Sequence, residues 1–327
     1  LTPVDASTYS GLREILRRYG LTPSRRFGQN FLTDRHVLDK ITAAAELEKD
    51  DAVVEVGAGL GALTRALAER AGFVAAVELD KRLAEVLRDM FADTPNVRVV
   101  QGDCMRLGLA GLAADREPAG GISAGGAPLA PPSAGLAAEV DPAGGIGKKR
   151  AKIVANLPYY ITTPFIMRVL EQESGPAGRP FGRATLMVQR EVAERIAAAP
   201  GTGNYGALSV AAAYYAECEL NATVPPNCFF PRPDVDSAVI TLKIYETPPC
   251  APADEKLMFA CVKAAFGQRR KTLANCLCAR PWLGLGKERV AEVIRRCGFR
   301  EDVRGETLGV KEFAGLAEEL RVEIEKE

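Results

Sequence analysis

The chain has 327 residues, 47% of them hydrophobic, and its 42 Lys and Arg balance 42 Asp and Glu. Its length favours two domains, no segment reaches the roughly 18 continuous apolar residues of a membrane span, and zero net charge argues against a generic nucleic-acid binder. Eight cysteines without a CxxC pair, and the single histidine His36, argue against a disulfide framework, a metal site or a Ser/His/Asp triad, and the cysteines read as buried or free thiols in a reducing cytoplasm.

Residues 1–20 carry Arg13, Arg17 and Arg18 without an apolar core, which does not read as a secretory signal, and residues 11–19 read as a basic helix. Residues 25–32, Arg-Arg-Phe-Gly-Gln-Asn-Phe-Leu, form a loop; a helix over 34–45 follows, with Asp34 as N-cap and His36 on its surface. Short apolar strands are expected at 52–56, 73–78, 97–101, 153–155 and 184–189, with helices at 63–70 and 82–91 between the first three. Strands alternating with helices at this spacing predict a parallel sheet covered on both faces. Residues 209–215 and 237–245 read as extended and add an antiparallel edge. Residues 108–149 are rich in Ala, Gly and Pro and read as a flexible, mostly disordered surface insertion. Residues 247–254 read as a linker. The expected domains are therefore 1–246, α/β in class, and 255–327, small and helical.

Charge is unevenly placed. Residues 256–304 hold twelve basic against four acidic side chains, residues 305–327 three against seven, and the first 35 six against three. Local basic patches attract phosphate even where the total cancels; a solvated helical face is the alternative.

The chemistry sits at strand ends. Glu55-Val-Gly57-Ala-Gly59-Leu-Gly61 closes a strand and opens a helix, where glycines permit a tight turn and close approach of a ligand. Glu78, at the end of the next strand, suits the two hydroxyls of a ribose, and Asp103 after the third suits an adenine amine. A nucleoside-bearing cofactor is implied. The glycines also satisfy the dinucleotide fingerprint, and Glu78 and Asp103 have helix capping as a rival role. Asn156-Leu157-Pro158-Tyr159 ends the fourth strand. Asn156 and the Pro158 carbonyl can accept the two N–H bonds of an exocyclic amine, and Tyr159 offers a stacking face; an ordinary strand-to-loop turn is the plainer account. No hydride-transfer relay is evident, so the pairing suggests methyl transfer from S-adenosylmethionine to nitrogen.

Nine segments in order resemble one family, the small-subunit ribosomal RNA adenine N6,N6-dimethyltransferases: Phe27-Gly-Gln-Asn-Phe-Leu32, Glu55 to Gly61, Val77-Glu-Leu-Asp80, Gly102-Asp103, Asn156 to Tyr159, Gln189 to Arg195, Asn204 to Ser209, Phe229 to Val239 and Phe266 to Leu273. The resemblance spans nearly the whole chain. It implies a Rossmann-like S-adenosylmethionine-dependent methyltransferase fold with a small C-terminal all-helical domain. It also implies cofactor contacts from Asn30, Leu32, Gly57, Gly59, Glu78, Asp103 and Asn156. Phe229 or Phe230 would face Tyr159 across a flipped adenine. Arg269, Arg270 and Lys271, then Arg25 and Arg26, are the candidate phosphate contacts. The implied partner is 16S ribosomal RNA in the small subunit or its precursor, where two adjacent adenines near the 3′ end each gain two methyls. A cytoplasmic monomer without metal or membrane association is expected. The 108–149 insertion departs from the family pattern. Rivals are a resistance-type dimethyltransferase of large-subunit RNA, a non-catalytic RNA- or DNA-binding factor on the same fold, and a general N-methyltransferase.

Overall fold

The computed structural model describes residues 4–24, 27–115, 150–171 and 179–326. These form two compact units: residues 1–190 with 219–246, and residues 191–218 with 247–327.

The first unit opens with α1 (Tyr9–Arg18), capped by Thr8, whose hydroxyl accepts from Gly11 N at 3.1 Å, and carrying Arg17 and Arg18 in its last turn. Cations there complement the helix dipole. The two-residue strand β1 (Phe31–Leu32) precedes α2 (Arg35–Ala44), where Asp34 accepts from His36 N and Val37 N as the N-cap. Then β2 (Ala52–Val56), α3 (Ala62–Ala68), β3 (Phe73–Glu78), α4 (Lys81–Met90), β4 (Val97–Gln101), α5 (Leu109–Ala114), β5 (Ala151–Asn156), α6 (Thr162–Glu171) and β6 (Phe181–Gln189) alternate. All residues of β2 and β3 are buried, as expected of parallel strands covered on both faces. After α7 (Arg190–Ile196) and α8 (Ala207–Tyr215) come β7 (Ala216–Val224), β8 (Phe229–Phe230) and β9 (Ser237–Ile244).

The main sheet runs β4-β3-β2-β5-β6-β9-β7. Pairing is parallel from β4 through β6, and β9 joins β6 antiparallel. This places the carboxyl ends of β2, β3, β4 and β5, with their functional residues, along one edge of the sheet, where open α/β folds bind ligands. A separate two-stranded ribbon pairs β1 with β8, setting Phe31 opposite Phe230 and Leu32 opposite Phe229. Leu32 and Phe229 thereby enter the core with Val37, Leu63 and Cys228.

The second unit holds α9 (Glu255–Phe266), α10 (Leu273–Cys278), α11 (Lys287–Arg296) and α12 (Val310–Ile324), and no strand begins after residue 246 among the described residues. Asp254 caps α9 by accepting from Leu257 N at 2.8 Å.

Three expectations are corrected. Residues 209–215 are helical, not extended. Alanine, the best helix former, dominates the run, Ser209 Oγ accepts from Gly206 N at 3.0 Å at its start, and Tyr214 is buried. The edge strand is β7, just beyond. Residues 191–218, assigned on sequence to the first domain, lie in the second unit, where α8 packs on α9 and α12. Tyr214 there donates to Glu255 at 3.0 Å. The start of the supposedly flexible insertion is α5, with Leu109 buried and Arg98 donating to the Leu112 carbonyl at 3.0 Å. Residues 116–149 lie outside the described residues. Among the described residues no helix is long and apolar enough to cross a membrane.

Candidate active site

The turn between β2 and α3 is built by glycines in the left-handed region: Gly57, Gly59 and Gly61 have φ of 73°, 60° and 78°. A Cβ on Gly57 would stand 3.3 Å from the Asn156 carbonyl oxygen, tighter than ordinary packing, at a φ of 73° that side chains rarely adopt. Glu78 holds the turn in place. Its Oε2 accepts from Gly59 N and its Oε1 from Asp80 N, each at 2.8 Å. Burial raises its carboxyl above the ordinary value, while these backbone donors oppose the shift. Each carboxylate oxygen retains a lone pair, the acceptor pair that a ribose diol needs.

The next strand end places Asp103. Gly102 N donates to the Glu78 carbonyl at 2.9 Å, and Met105 N donates to Asp103 Oδ1 at 2.8 Å, which fixes the carboxylate at the head of a short turn. Arg106 Nε lies 3.6 Å from Asp103 Oδ2.

Asn156, at the end of β5, has its side chain oriented by the N-terminal loop. Its Nδ2 donates to the Asn30 carbonyl at 3.1 Å. That nitrogen carries both of the amide's donor hydrogens, one of them used here, and Oδ1 is the side chain's acceptor. Asn30 in turn donates to the Gly28 carbonyl at 3.3 Å, and Gln29 spans from Ser24 N to Asp80. The loop is thus hydrogen-bonded internally and to the strand ends. Pro158 begins a 3-10 turn over Tyr159–Ile161, with its carbonyl accepting from Ile161 N at 3.2 Å and, at 3.4 Å, from the buried Thr162 hydroxyl. Tyr159 Oη lies 2.8 Å from Ser237 Oγ, a fully buried hydroxyl at the start of β9, so the ring is pinned at its polar end. Burial raises the Tyr159 phenol above its ordinary value.

These groups converge on one cavity of about 290 Å³. Gly57, Gly59, Glu78, Asp103, Asn30, Leu32, Asn156, Pro158 and Tyr159 all line it. Glu55 also reaches it. Its side chain is 1% exposed, its Oε2 has no hydrogen-bond partner, and burial pushes its carboxyl up to about 8. Hydrogen bonds from Thr64 to the same carboxyl oppose that upward shift. The acceptor pair at Glu78, the acceptor at Asp103 and the glycine turn fit S-adenosylmethionine.

The two phenylalanines take different places. Phe229 is 3% exposed and packs in the core; Phe230 is half-buried and meets the Tyr9 ring edge-on at 5.5 Å. Neither lines the cavity. In the second unit, Arg269, Arg270 and Lys271 follow α9 around a shallow depression. Arg269 is partly committed there, donating to the Gly203 carbonyl at 3.1 Å and pairing with Glu306 at 3.4 Å, whereas Arg270 and Lys271 are exposed. Arg25 and Arg26 lie outside the described residues. Sequence reasoning missed Glu55 as a cavity group, Ser237 behind Tyr159, and Tyr160, an exposed ring at the cavity edge beside Gly28. Glu55 was legible as the one charge in an otherwise apolar strand; Ser237 was not, since only tertiary pairing brings it to Tyr159.

The family described as ribosomal RNA adenine dimethylase matches residues 21–287. The chain is 42% identical over 306 residues to the ribosomal RNA small subunit methyltransferase A of Lachnoclostridium phytofermentans, covering 93% of this chain and 94% of that one. Its identity to the protein of the same name from Pelotomaculum thermopropionicum is 42% over 307 residues, 94% of each chain. Among solved structures, a dimethyladenosine transferase from Plasmodium falciparum aligns with a TM-score of 0.66 at 22% identity, over 87% of this chain and 95% of that one, which supports the fold. The 23S rRNA methyltransferase ErmE aligns with a TM-score of 0.60 at 26% identity, over 89% and 100%.

Proposed function

The chain belongs to the ribosomal RNA adenine dimethylase family, and from that premise we propose that it dimethylates adenine N6 in small-subunit ribosomal RNA with S-adenosylmethionine as methyl source. Its substrate is the 16S RNA of the small subunit or its precursor, at two adjacent adenines near the 3′ end. It acts as a cytoplasmic monomer without metal. The observation that carries the reading is the orientation of Asn156, whose Nδ2 donates one N–H to the Asn30 carbonyl and whose Oδ1 is left as the acceptor for an N–H donor.

When bound, the cofactor supplies a methyl group on a positively charged sulfur, open to in-line displacement by a nitrogen lone pair. Glu78 would hold its ribose, Asp103 its adenine amine, and the Gly57–Gly59 turn its remaining polar groups. The protein must then improve a poor nucleophile, because the lone pair of adenine N6 is delocalised into the ring. Asn156 Oδ1 and the Pro158 carbonyl accept the two N6–H bonds and favour a pyramidal nitrogen with its lone pair turned toward the methyl. To take the second N–H, the Pro158 carbonyl competes with only its weaker existing partner, Thr162 Oγ1. Positioning and fixed dipoles supply most of the acceleration. No strong base is needed, since the methylated nitrogen becomes acidic and releases its proton to water. A neutral amide in place of a carboxylate tolerates the monomethylated amine on its return, when only one N–H remains to be accepted.

Tyr159 stacks on the flipped base, a contact worth about 1–3 kcal/mol. Of the two phenylalanines on the strand hydrogen-bonded to β1, the half-buried Phe230 is the proposed source of the opposite wall, since Phe229 is committed to the core. Arg270 and Lys271 contact phosphate, with Arg269 positioned beside them and Arg25 and Arg26 as further candidates.

The resistance-type alternative is disfavoured by the relatives: those near 42% identity are named for the small subunit, whereas ErmE stands at 26%. Tritiated methyl transfer to small subunits lacking the modification, with large-subunit RNA as control, tests this reading. Label confined to the small-subunit RNA is expected. Label in the large-subunit RNA would establish the alternative.

A further inference from the structure

Arg168 stands on α6, the helix that continues directly from the Pro158–Ile161 turn. Its guanidinium reaches away from that helix to the turn after β4. Nη1 donates to the Cys104 carbonyl and Nη2 to the Leu107 carbonyl, the latter at 2.6 Å. Asp103 heads this turn. The backbone closes it by donations from Arg106 N and Leu107 N to the Asp103 carbonyl, at 2.9 and 3.0 Å. Cys104 is buried, and a buried backbone carbonyl needs a protein donor. One side chain thus ties the helix that follows the acceptor motif to the turn that presents the adenine acceptor.

We propose that Arg168 is a positioning residue for the cofactor: its forked contact with the Cys104 and Leu107 carbonyls sets the Asp103 carboxylate in register with the Asn156–Tyr159 loop. The inference rests on the reading of the cavity as an S-adenosylmethionine site. A fork is required because two carbonyls are met by one planar head; a lysine offers a single point of charge and satisfies one of them. Arg168 touches no reacting atom, so its effect belongs in cofactor affinity and must pass through Asp103.

The test measures S-adenosylhomocysteine binding to the full chain by calorimetry, for wild type, Arg168→Met, Arg168→Lys, Asp103→Ala and the Arg168→Met/Asp103→Ala double variant, with thermal midpoints alongside. Methionine keeps the apolar stem and removes the donors. Arg168→Met is expected to weaken binding about tenfold, the size of one charge-assisted hydrogen bond, with Arg168→Lys between it and wild type. In the Asp103→Ala background the same substitution is expected to cost almost nothing more. Unchanged affinity in Arg168→Met, or an equal loss in both backgrounds, would overturn the proposal, the second outcome assigning Arg168 a general stabilising part. Failure of the underlying reading is seen separately: wild type would not bind S-adenosylhomocysteine, or Asp103→Ala would bind it as wild type does.

Discussion

In the proposed reaction Asn156 receives the target amine, because a hydrogen bond on one side of its amide dictates what the other side offers. With Nδ2 held by the Asn30 carbonyl, Oδ1 is the acceptor that the proposed mechanism assigns to the target amine. Asn156→Ala is expected to lower kcat about 100-fold, the cost of losing one preorganised polar contact in a transition state. Affinity for S-adenosylhomocysteine should change far less, which single-turnover and binding measurements together would show. Glu55 makes a different prediction. Burial raises its carboxyl from 4.5 to about 8, so folding favours the protonated form. The stability it contributes is full below about pH 4.5 and is lost as pH rises through about 8. Denaturant midpoints of the ligand-free protein should therefore show Glu55→Gln gaining on wild type between pH 5 and pH 8. A constant difference across that range would mean Glu55 is ionised throughout.

At the scale of elements, close approach governs the site. A Cβ on Gly61 would lie 2.5 Å from Phe91 Cε2, at a φ of 78° that alanine rarely adopts. Overpacking of this kind costs about 1–3 kcal/mol, to which the left-handed backbone adds about 1–2. Gly61→Ala should accordingly lower the denaturation midpoint and weaken cofactor binding together, since α3 begins at the residue after it. The parallel strands were legible because β2, β3 and β5 are nearly continuous apolar runs, and the ends of β3, β4 and β5 lead to Glu78, Asp103 and Asn156, which all line the cavity. The helix α8 was not. Its residues Val210, Tyr214 and Tyr215 suit a strand, and apart from Ser209 the run is apolar throughout, even at the exposed Ala213, which erases the period that separates helix from strand. The ribbon of β1 with β8 was invisible for another reason: two residues carry no pattern, and their partners lie about 200 positions away in sequence.

At the scale of the whole molecule, a neutral chain must bind a polyanion through local patches. Arg270→Ala and Lys271→Ala should each weaken RNA binding regardless of sequence and reduce the slope of log affinity against log salt by about 1. Thermal stability should hardly change. Arg269→Ala should also destabilise the second unit, because that side chain braces Gly203 and Glu306; a melting curve beside the binding isotherm separates the two effects. Composition exposed the basic stretch from 256 to 304 but not this division of labour, which depends on the fold of residues 191–218. The central claim is that one neutral amide serves two successive transfers to the same nitrogen. Its most direct test is nucleoside mass spectrometry of small-subunit RNA after incubation with S-adenosylmethionine and wild type or Asn156→Ala. N6,N6-dimethyladenosine with wild type, and its near absence with the variant, is the predicted result. Product that stops at the monomethyl stage with wild type, or dimethyladenosine formed equally by the variant, would contradict it.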